Sequence, residues 1–231
     1  MFNKSASIYD LIYVFKDYAV EAESLRKILQ ERRPEARSLL DVACGTGTHL
    51  EHLQHHYEVT GVDLDAGLLT VAKGRLPGVR LLQQDMTAFN LGEVFDVVTC
   101  LFSSIGYTLT TQKLSDAVAC MSQHLAPDGL LLVEPWIFPN KWEDGHLGAN
   151  FIDEPDVKIA RFNISARDGS VSLLSFHYLV ATRDGIEHFT ETHELGLFTD
   201  DDYRAAFADA GLQVEFLSDA FTTRGLYVGS K

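Results

Sequence analysis

Apolar positions recur at helical spacing over residues 9–32, with Ala19, Ala22, Leu25, Ile28 and Leu29 on one side, and this spacing predicts a helix that Arg33-Pro34 ends. From residue 38 the pattern changes to short apolar runs separated by helical stretches. Ser38 to Ala43 reads as a buried strand that enters the glycine turn CGTGTHL, with helix from Thr48 to His56. Glu58 to Leu64 predicts a second strand, and Ala66 to Arg75 a helix that stops before Pro77-Gly78. Val79 to Gln83 and Phe95 to Cys100 predict two more strands. Gln112 to Leu125 then reads as a helix ending at Pro127-Asp128-Gly129, and Leu130 to Glu134 as a fifth strand. Nearly continuous apolar strands alternating with helices signal a parallel sheet covered on both faces.

The helical period is absent from Asp156 to Phe198. Runs at Val157–Ala166, Ser170–Thr182 and Gly185–Leu197 read as strands, and Asp168-Gly169 and Asp184-Gly185 supply hairpin turns between them. A helix at Thr199–Ala210, stopped by Gly211, and strands at Leu212–Leu217 and Leu226–Gly229 return to the α/β pattern. The predicted class is α/β, a Rossmann-like doubly wound sheet with an inserted antiparallel β meander. Three segments follow from it within a single folding unit. Residues 1–135 carry the N-terminal helix and the Rossmann-like core, 136–198 the insertion, and 199–231 the return to the core sheet.

Composition changes this picture little. A hydrophobic fraction of 46% with 23% charged residues is that of a globular chain. The net charge of −14 argues against a nucleic-acid binder, which needs a basic footprint. No run of about 20 apolar residues predicts a membrane span, and no signal peptide is visible at the start. Cys44, Cys100 and Cys120 form neither a disulfide framework nor a zinc knot, and they read as buried thiols in a reducing cytoplasm. The nine histidines show no metal-ligand spacing.

The chemical signal is Asp41-Val42-Ala43-Cys44-Gly45-Thr46-Gly47-Thr48, a glycine turn between strand and helix, followed 22 positions after Asp41 by Asp63 at the end of the next strand. A carboxylate there accepts hydrogen bonds from both ribose hydroxyls of a nucleoside. The dinucleotide pattern G-x-G-x-x-G fails, because Leu50 stands where its third glycine belongs. The turn suits a nucleoside ligand without a pyrophosphate. Asp85 ends a third strand over the same crevice.

The order LLDVACGTGTHL, VTGVDL, LLQQDM, FDVVTC, LAPDGLLLVEPW resembles the class I S-adenosylmethionine-dependent methyltransferases over residues 38–135. The resemblance implies a seven-stranded sheet whose last strand, Leu226 to Gly229, is antiparallel. It implies that Ala43 and Gly45 border the amino-acid part of the cofactor and that Asp63 holds the ribose with Leu64 against the adenine. Asp85 takes the adenine amino group with Met86 alongside, and Leu101 lies beneath the ligand.

Further stretches are similar to a subgroup, the N,N-dimethyltransferases of dTDP-linked amino sugars in antibiotic sugar biosynthesis. They are YDLIY, KDYAVEA, LFSSIGY, VEPWIFP, IEHFTETHE and the terminal TRGLYVG. The segment from Tyr13 to Lys16 is shorter than the subgroup leads one to expect. The similarity implies that Tyr13 and Arg224 anchor the sugar nucleotide, Arg224 at the pyrophosphate, and that Tyr18 touches the cofactor carboxylate. Trp136, Arg161, Ser165 and His177 would form a lid over the nucleotide. It also implies a homodimer, with the insertion as a possible subunit contact.

Each of these residues has a plainer reading: aromatic core for Tyr13, Tyr18 and Trp136, a solvated charge for Arg161. Methyl transfer needs a neutral amine held in line with the methyl, so proximity and orientation dominate. Tyr107 is the polar residue best placed beside the methyl, ahead of Ser103, Ser104, His177 and His188. Methylation of another small metabolite, or cofactor binding without catalysis, are the competing readings.

Overall fold

The computed structural model describes residues 4–219 and 221–231. Seven strands form the main sheet: β1 (Ser38–Val42), β2 (Glu58–Asp63), β3 (Arg80–Gln83), β4 (Phe95–Cys100), β5 (Leu125–Val133), β10 (Gln213–Leu217) and β11 (Leu226–Ser230). Their order is β10-β11-β5-β4-β1-β2-β3. Strand β11 runs antiparallel to both neighbours, and the β1–β2, β2–β3, β1–β4 and β4–β5 pairings are parallel. The chain proceeds from β1 outward through β2 and β3, then returns to β4 on the other side of β1. That reversal opens a crevice at the carboxyl ends of β1 and β4, where doubly wound sheets bind ligands.

Two apolar cores flank the sheet. On one side α2 (Tyr18–Arg32), α3 (Thr48–Leu53) and α4 (Ala66–Arg75) pack through Leu25, Leu29, Leu50, Leu53, Leu69 and Ala72. On the other, α5 (Thr111–Gln123) and α6 (Asp200–Asp209) pack through Leu114, Val118, Met121 and Phe207. Helix α6 starts at a capping box in which Thr199 and Asp202 satisfy each other's backbone N–H groups.

The expected helix over 9–32 is broken. A 3₁₀ turn (Ser5–Ile8) leads into the short α1 (Tyr9–Ile12), and α2 begins only after Asp17, whose side chain accepts from the Val20 N–H. Val14 and Phe15 lie in the break, 72% and 66% exposed, and Ala19 is exposed rather than packed. Asp17 is a strong cap, so a helix start inside the apolar pattern overrides its continuation. Strand β5 begins earlier than expected, at Leu125. Pro127-Asp128-Gly129 forms an irregularity within it, and the register to β4 shifts between Phe95 and Val97.

The insertion holds four strands rather than three: β6 (Leu147–Asp153), β7 (Val157–Asp168), β8 (Val171–Thr182) and β9 (Gly185–Gly196), paired antiparallel in chain order. Its inner face closes over the crevice. Phe176 and Tyr178 pack against Ile12 of α1, so the N-terminal segment is held between the meander and the main sheet.

Candidate active site

The glycine turn is shaped by left-handed backbone at Ala43, Gly45 and Gly47 (φ 60°, 58° and 77°). The two glycines have different duties. A methyl group at Gly47 would sit 2.7 Å from Leu76 Cδ1, so Gly47 lets α3 and α4 approach. A methyl at Gly45 would meet no atom within 4 Å, and Gly45 lines the cavity. Its bare backbone is therefore open to a ligand. Arg75 braces the turn from behind, donating to the Thr46 carbonyl (2.6 Å) and pairing with Asp10 (2.7 Å), which also accepts from Thr46 Oγ1 (2.7 Å). These bonds tie α1 to the turn.

Asp63 ends β2 with a buried carboxylate. Its Oδ2 accepts from the Gly45 N–H and its Oδ1 from the Asp65 N–H, both at 2.8 Å. Burial pushes its pKa up, and those backbone donors hold it down. Asp85 is exposed at the end of β3. Its Oδ1 takes both the N–H (2.8 Å) and the hydroxyl (2.7 Å) of Thr87, and these bonds lower its pKa.

A cavity of about 570 Å³ runs from this turn to the meander. Ala43, Gly45, Asp63, Leu64, Asp85 and Met86 line one end. Tyr13, Tyr107, Trp136, Arg161, Ser165 and Arg224 line the other. Tyr18 and Leu101 stand instead at a small adjoining pocket with Asp41, Cys44, Thr46 and His49. Leu101 is buried, and Tyr18 meets His49 edge-on at 4.9 Å. Burial raises the Tyr18 pKa, so it offers a neutral hydroxyl.

Arg161 is 5% exposed, and its guanidinium lies against the rings of Tyr13 (5.1 Å) and Phe176 (4.9 Å). One nitrogen donates to Asn150 Oδ1 (2.8 Å), while Nε and Nη1 are buried without a hydrogen-bond partner. Arg224 sits over Trp136 and Phe102. Its Nη1 donates to Glu134 Oε1 (3.2 Å), a fully buried carboxylate that also takes the Phe102 N–H (2.6 Å) and the Thr222 hydroxyl (2.8 Å). Trp136 donates through its indole N–H to Ser172 Oγ (2.9 Å), and Ser165 Oγ donates to the Glu143 carbonyl (2.8 Å), holding the loop before β6 over the cavity.

His177 corrects an expectation. It does not lie over the cavity but on the outer face of β8, exposed and stacked on His188, because its neighbours Phe176 and Tyr178 take the inward positions of the strand. Ser103 is buried with its hydroxyl donated to the Pro135 carbonyl. Sequence reasoning passed over Glu134 and His193. Glu134 belonged to an apolar strand, and His193 was weighed only as a metal ligand. Among the described residues no group of three or more His, Cys, Asp or Glu is arranged to hold a metal.

The donor set fits S-adenosylmethionine. An open glycine backbone, a buried carboxylate and Asp85 with Met86 line one end of one cavity, and the Arg75 guanidinium braces the turn from behind rather than lining that cavity. Fold and site together define a class I S-adenosylmethionine-dependent methyltransferase.

A methyltransferase-domain family profile matches residues 39–129. The chain is 44% identical over 228 residues, covering 97% of it and 96% of the relative, to the dTDP-3-amino-3,4,6-trideoxy-α-D-glucopyranose N,N-dimethyltransferase of Streptomyces venezuelae. The crystal structure of Streptomyces venezuelae DesVI superposes with a TM-score of 0.93 at 43% identity over 98% of both chains. S-adenosylmethionine-bound CalS10, an amino pentose methyltransferase of Micromonospora echinaspora, matches with a TM-score of 0.88 at 39% identity over 100% of this chain and 97% of that one. The chain belongs to the dTDP-amino-sugar N,N-dimethyltransferase family.

Proposed function

We propose that this enzyme adds two methyl groups to the amine of a dTDP-linked deoxyamino sugar. Bound S-adenosylmethionine supplies an electrophilic methyl on a sulfonium. The chain's own work is to hold the cofactor at one end of the cavity and the sugar nucleotide at the other. Asp63 and the Gly45 backbone grip the nucleoside, and Asp85 with Met86 and Leu64 frame the adenine. Ala43, Tyr18 and Leu101 surround the amino-acid end. Alignment of a neutral amine with the methyl supplies most of the acceleration, since effective molarities reach roughly 10⁵–10⁸ M.

The observation that carries the substrate class is Arg161. A buried guanidinium with two unmatched donors costs free energy unless a ligand supplies acceptors. A diphosphate supplies them, and Arg224 adds a second fork in the same cavity. Tyr13 and Trp136 flank these two arginines, and Ser165 holds the covering loop. Two copies associate, on this reading, through the outer face of the meander. The face exposes Leu147, Phe151, Phe162, Ile164, Leu179 and Ile186, each 48–74% accessible. Three buried free thiols suit a reducing cytoplasm, and no helix among the described residues is long and apolar enough to cross a membrane.

The test is calorimetric titration of dTDP into the chain saturated with S-adenosylhomocysteine, with mass spectrometry of the products from dTDP-linked 3-amino and 4-amino sugars. Micromolar binding is expected, weakened at least about tenfold by Arg161→Gln. Arg224→Lys keeps a cation beside Glu134, so it reports the loss of the fork without stranding that carboxylate. Absence of dTDP binding in a chain that binds the cofactor well overturns the sugar-nucleotide reading.

A further inference from the structure

Tyr107 and His193 arrive from distant parts of the chain, the turn after β4 and strand β9, and both line the cavity. The Tyr107 hydroxyl lies 2.7 Å from His193 Nδ1. Behind the imidazole, Glu191 Oε2 stands 3.7 Å from Nε2, and the two side chains are only 4% and 7% exposed. Glu191 is held in turn by the N-terminal segment. Its Oε1 accepts from the N–H groups of Lys4 (3.1 Å) and Ser5 (3.2 Å), and its Oε2 from Ser5 Oγ (2.6 Å). Phe176 packs edge-on against the imidazole at 5.4 Å. Hydroxyl, imidazole and carboxylate thus form a file that leads inward from the cavity wall.

Each group is in a suitable state. Burial keeps the Tyr107 hydroxyl protonated, with Tyr13, Tyr178, Asp63 and Glu191 pushing the same way. Burial also lowers the His193 pKa, Arg161 adds to that, and Glu191 opposes it, so the ring is neutral at ordinary pH. A neutral imidazole accepting from Tyr107 at Nδ1 carries its proton on Nε2, toward Glu191.

Double methylation makes a demand that single methylation does not. Once the first nitrogen–carbon bond has formed, the nitrogen is a methylammonium without a lone pair, and it must shed a proton before it can attack again. We propose that Tyr107, His193 and Glu191 are the path by which that proton leaves the substrate nitrogen, and that this path lets the second methyl follow the first. The proposal rests on the amino-sugar reading above. The ammonium N–H proton passes to the Tyr107 oxygen while the Tyr107 hydroxyl proton passes to His193 Nδ1. The nitrogen recovers its lone pair, and the imidazolium is balanced by the Glu191 carboxylate until the cavity opens to water. Tyr107 is the catalytic member because it lines the reacting cavity; His193 and Glu191 are positioning residues that act through it.

The experiment compares wild type with Tyr107→Phe, His193→Asn and Glu191→Gln on dTDP-linked 3-amino and 4-amino sugars, with monomethyl and dimethyl products separated by mass. His193→Asn can still accept from Tyr107 but cannot take up a proton. The expected result is monomethyl product accumulating at pH 7, with the second methylation slowed at least about tenfold. The defect should shrink as pH rises and solvent takes over deprotonation. An unchanged product ratio, or a loss equal at every pH, overturns the relay.

A readout independent of turnover is ¹⁵N-histidine NMR of the S-adenosylhomocysteine-bound chain. His193 should be the neutral Nε2–H tautomer at pH 7.5, with an Nδ1 resonance that moves in Tyr107→Phe. An Nδ1–H tautomer, or an imidazolium at that pH, overturns the relay even if turnover is altered. If wild type methylates none of the amino sugars, the amino-sugar reading falls and takes the relay with it. If wild type dimethylates and the variants do so equally well, the relay alone falls.

Discussion

Asp63 and Asp41 are both carboxylates at the ends of neighbouring strands, and their surroundings give them different work. Asp63 faces the cavity and already holds two backbone N–H groups in place. Asp63→Ala should weaken S-adenosylhomocysteine binding roughly 10–100-fold, the loss of one or two charge-assisted hydrogen bonds, as read by calorimetry. Asp41 is fully buried, accepts from Thr99 Oγ1 (2.7 Å), and is pushed by burial from 3.8 up to about 6. A carboxyl with a raised pKa binds its proton more tightly in the folded state. The stability it lends is complete below pH 3.8 and is lost as pH rises through about 6. Asp41→Asn keeps an acceptor for Thr99 and removes the buried charge. Melting at pH 8 should therefore show the variant stabilised by up to about 3 kcal/mol relative to its difference at pH 4. A stability difference between variant and wild type that is no more favourable to the variant at pH 8 than at pH 4 would contradict this.

Elements show where the hydrophobic pattern speaks and where it is mute. The two glycines of the turn look alike in sequence and are separated only by packing. Gly47→Ala adds a methyl against the buried Leu76 at a left-handed φ, so it should lower stability by about 2–3 kcal/mol. At about 2–4 °C per kcal/mol, calorimetry should see the midpoint fall by about 4–12 °C. Gly45→Ala meets open space. It should cost stability only the backbone strain, about 1–2 kcal/mol, yet weaken cofactor binding at least about tenfold because its methyl enters the cavity. The parallel strands were legible because both of their faces are buried and their runs are almost wholly apolar. The meander's strands were legible as strands, but their facing was not. Phe162, Ile164 and Leu179 point outward while Arg161, Ser165 and Glu191 point inward, the reverse of ordinary patterning. The resemblance placed His177 at the cavity, no local pattern was at hand to correct its facing, and His193 was overlooked for the same lack. The break at residues 13–17 was masked by Val14 and Phe15, which keep an apolar pattern where no helix runs.

At the scale of the whole molecule, the outer face of the meander is the surface through which the proposed dimer would form. Leu147, Phe151, Phe162, Ile164, Leu179 and Ile186 share one side of the sheet across all four strands, a breadth of apolar surface that monomers seldom leave in water. The pair Phe151→Glu and Phe162→Glu should convert a dimer to a monomer in sedimentation velocity. Cofactor affinity should stay as it was, since both side chains stand on the face away from the cavity. A wild-type monomer, or a variant that remains dimeric, would place the subunit contact elsewhere or remove it.

The alternation of apolar strands and helices, the glycine turn and the acidic residue 22 positions after Asp41 follow from local chemistry, so the linear chain by itself determined the doubly wound core and the cofactor end of the cavity. Each of those features depends on neighbours within a few residues or on a period that repeats along the chain. The acceptor end depends on contacts between positions far apart: Arg224 with Glu134, Arg161 with Tyr13 and Asn150, Tyr107 with His193. A one-residue change in strand facing exchanges every side chain on such a wall, and no local preference chooses between the two. Only the packing of the meander onto α1 and the main sheet made that choice.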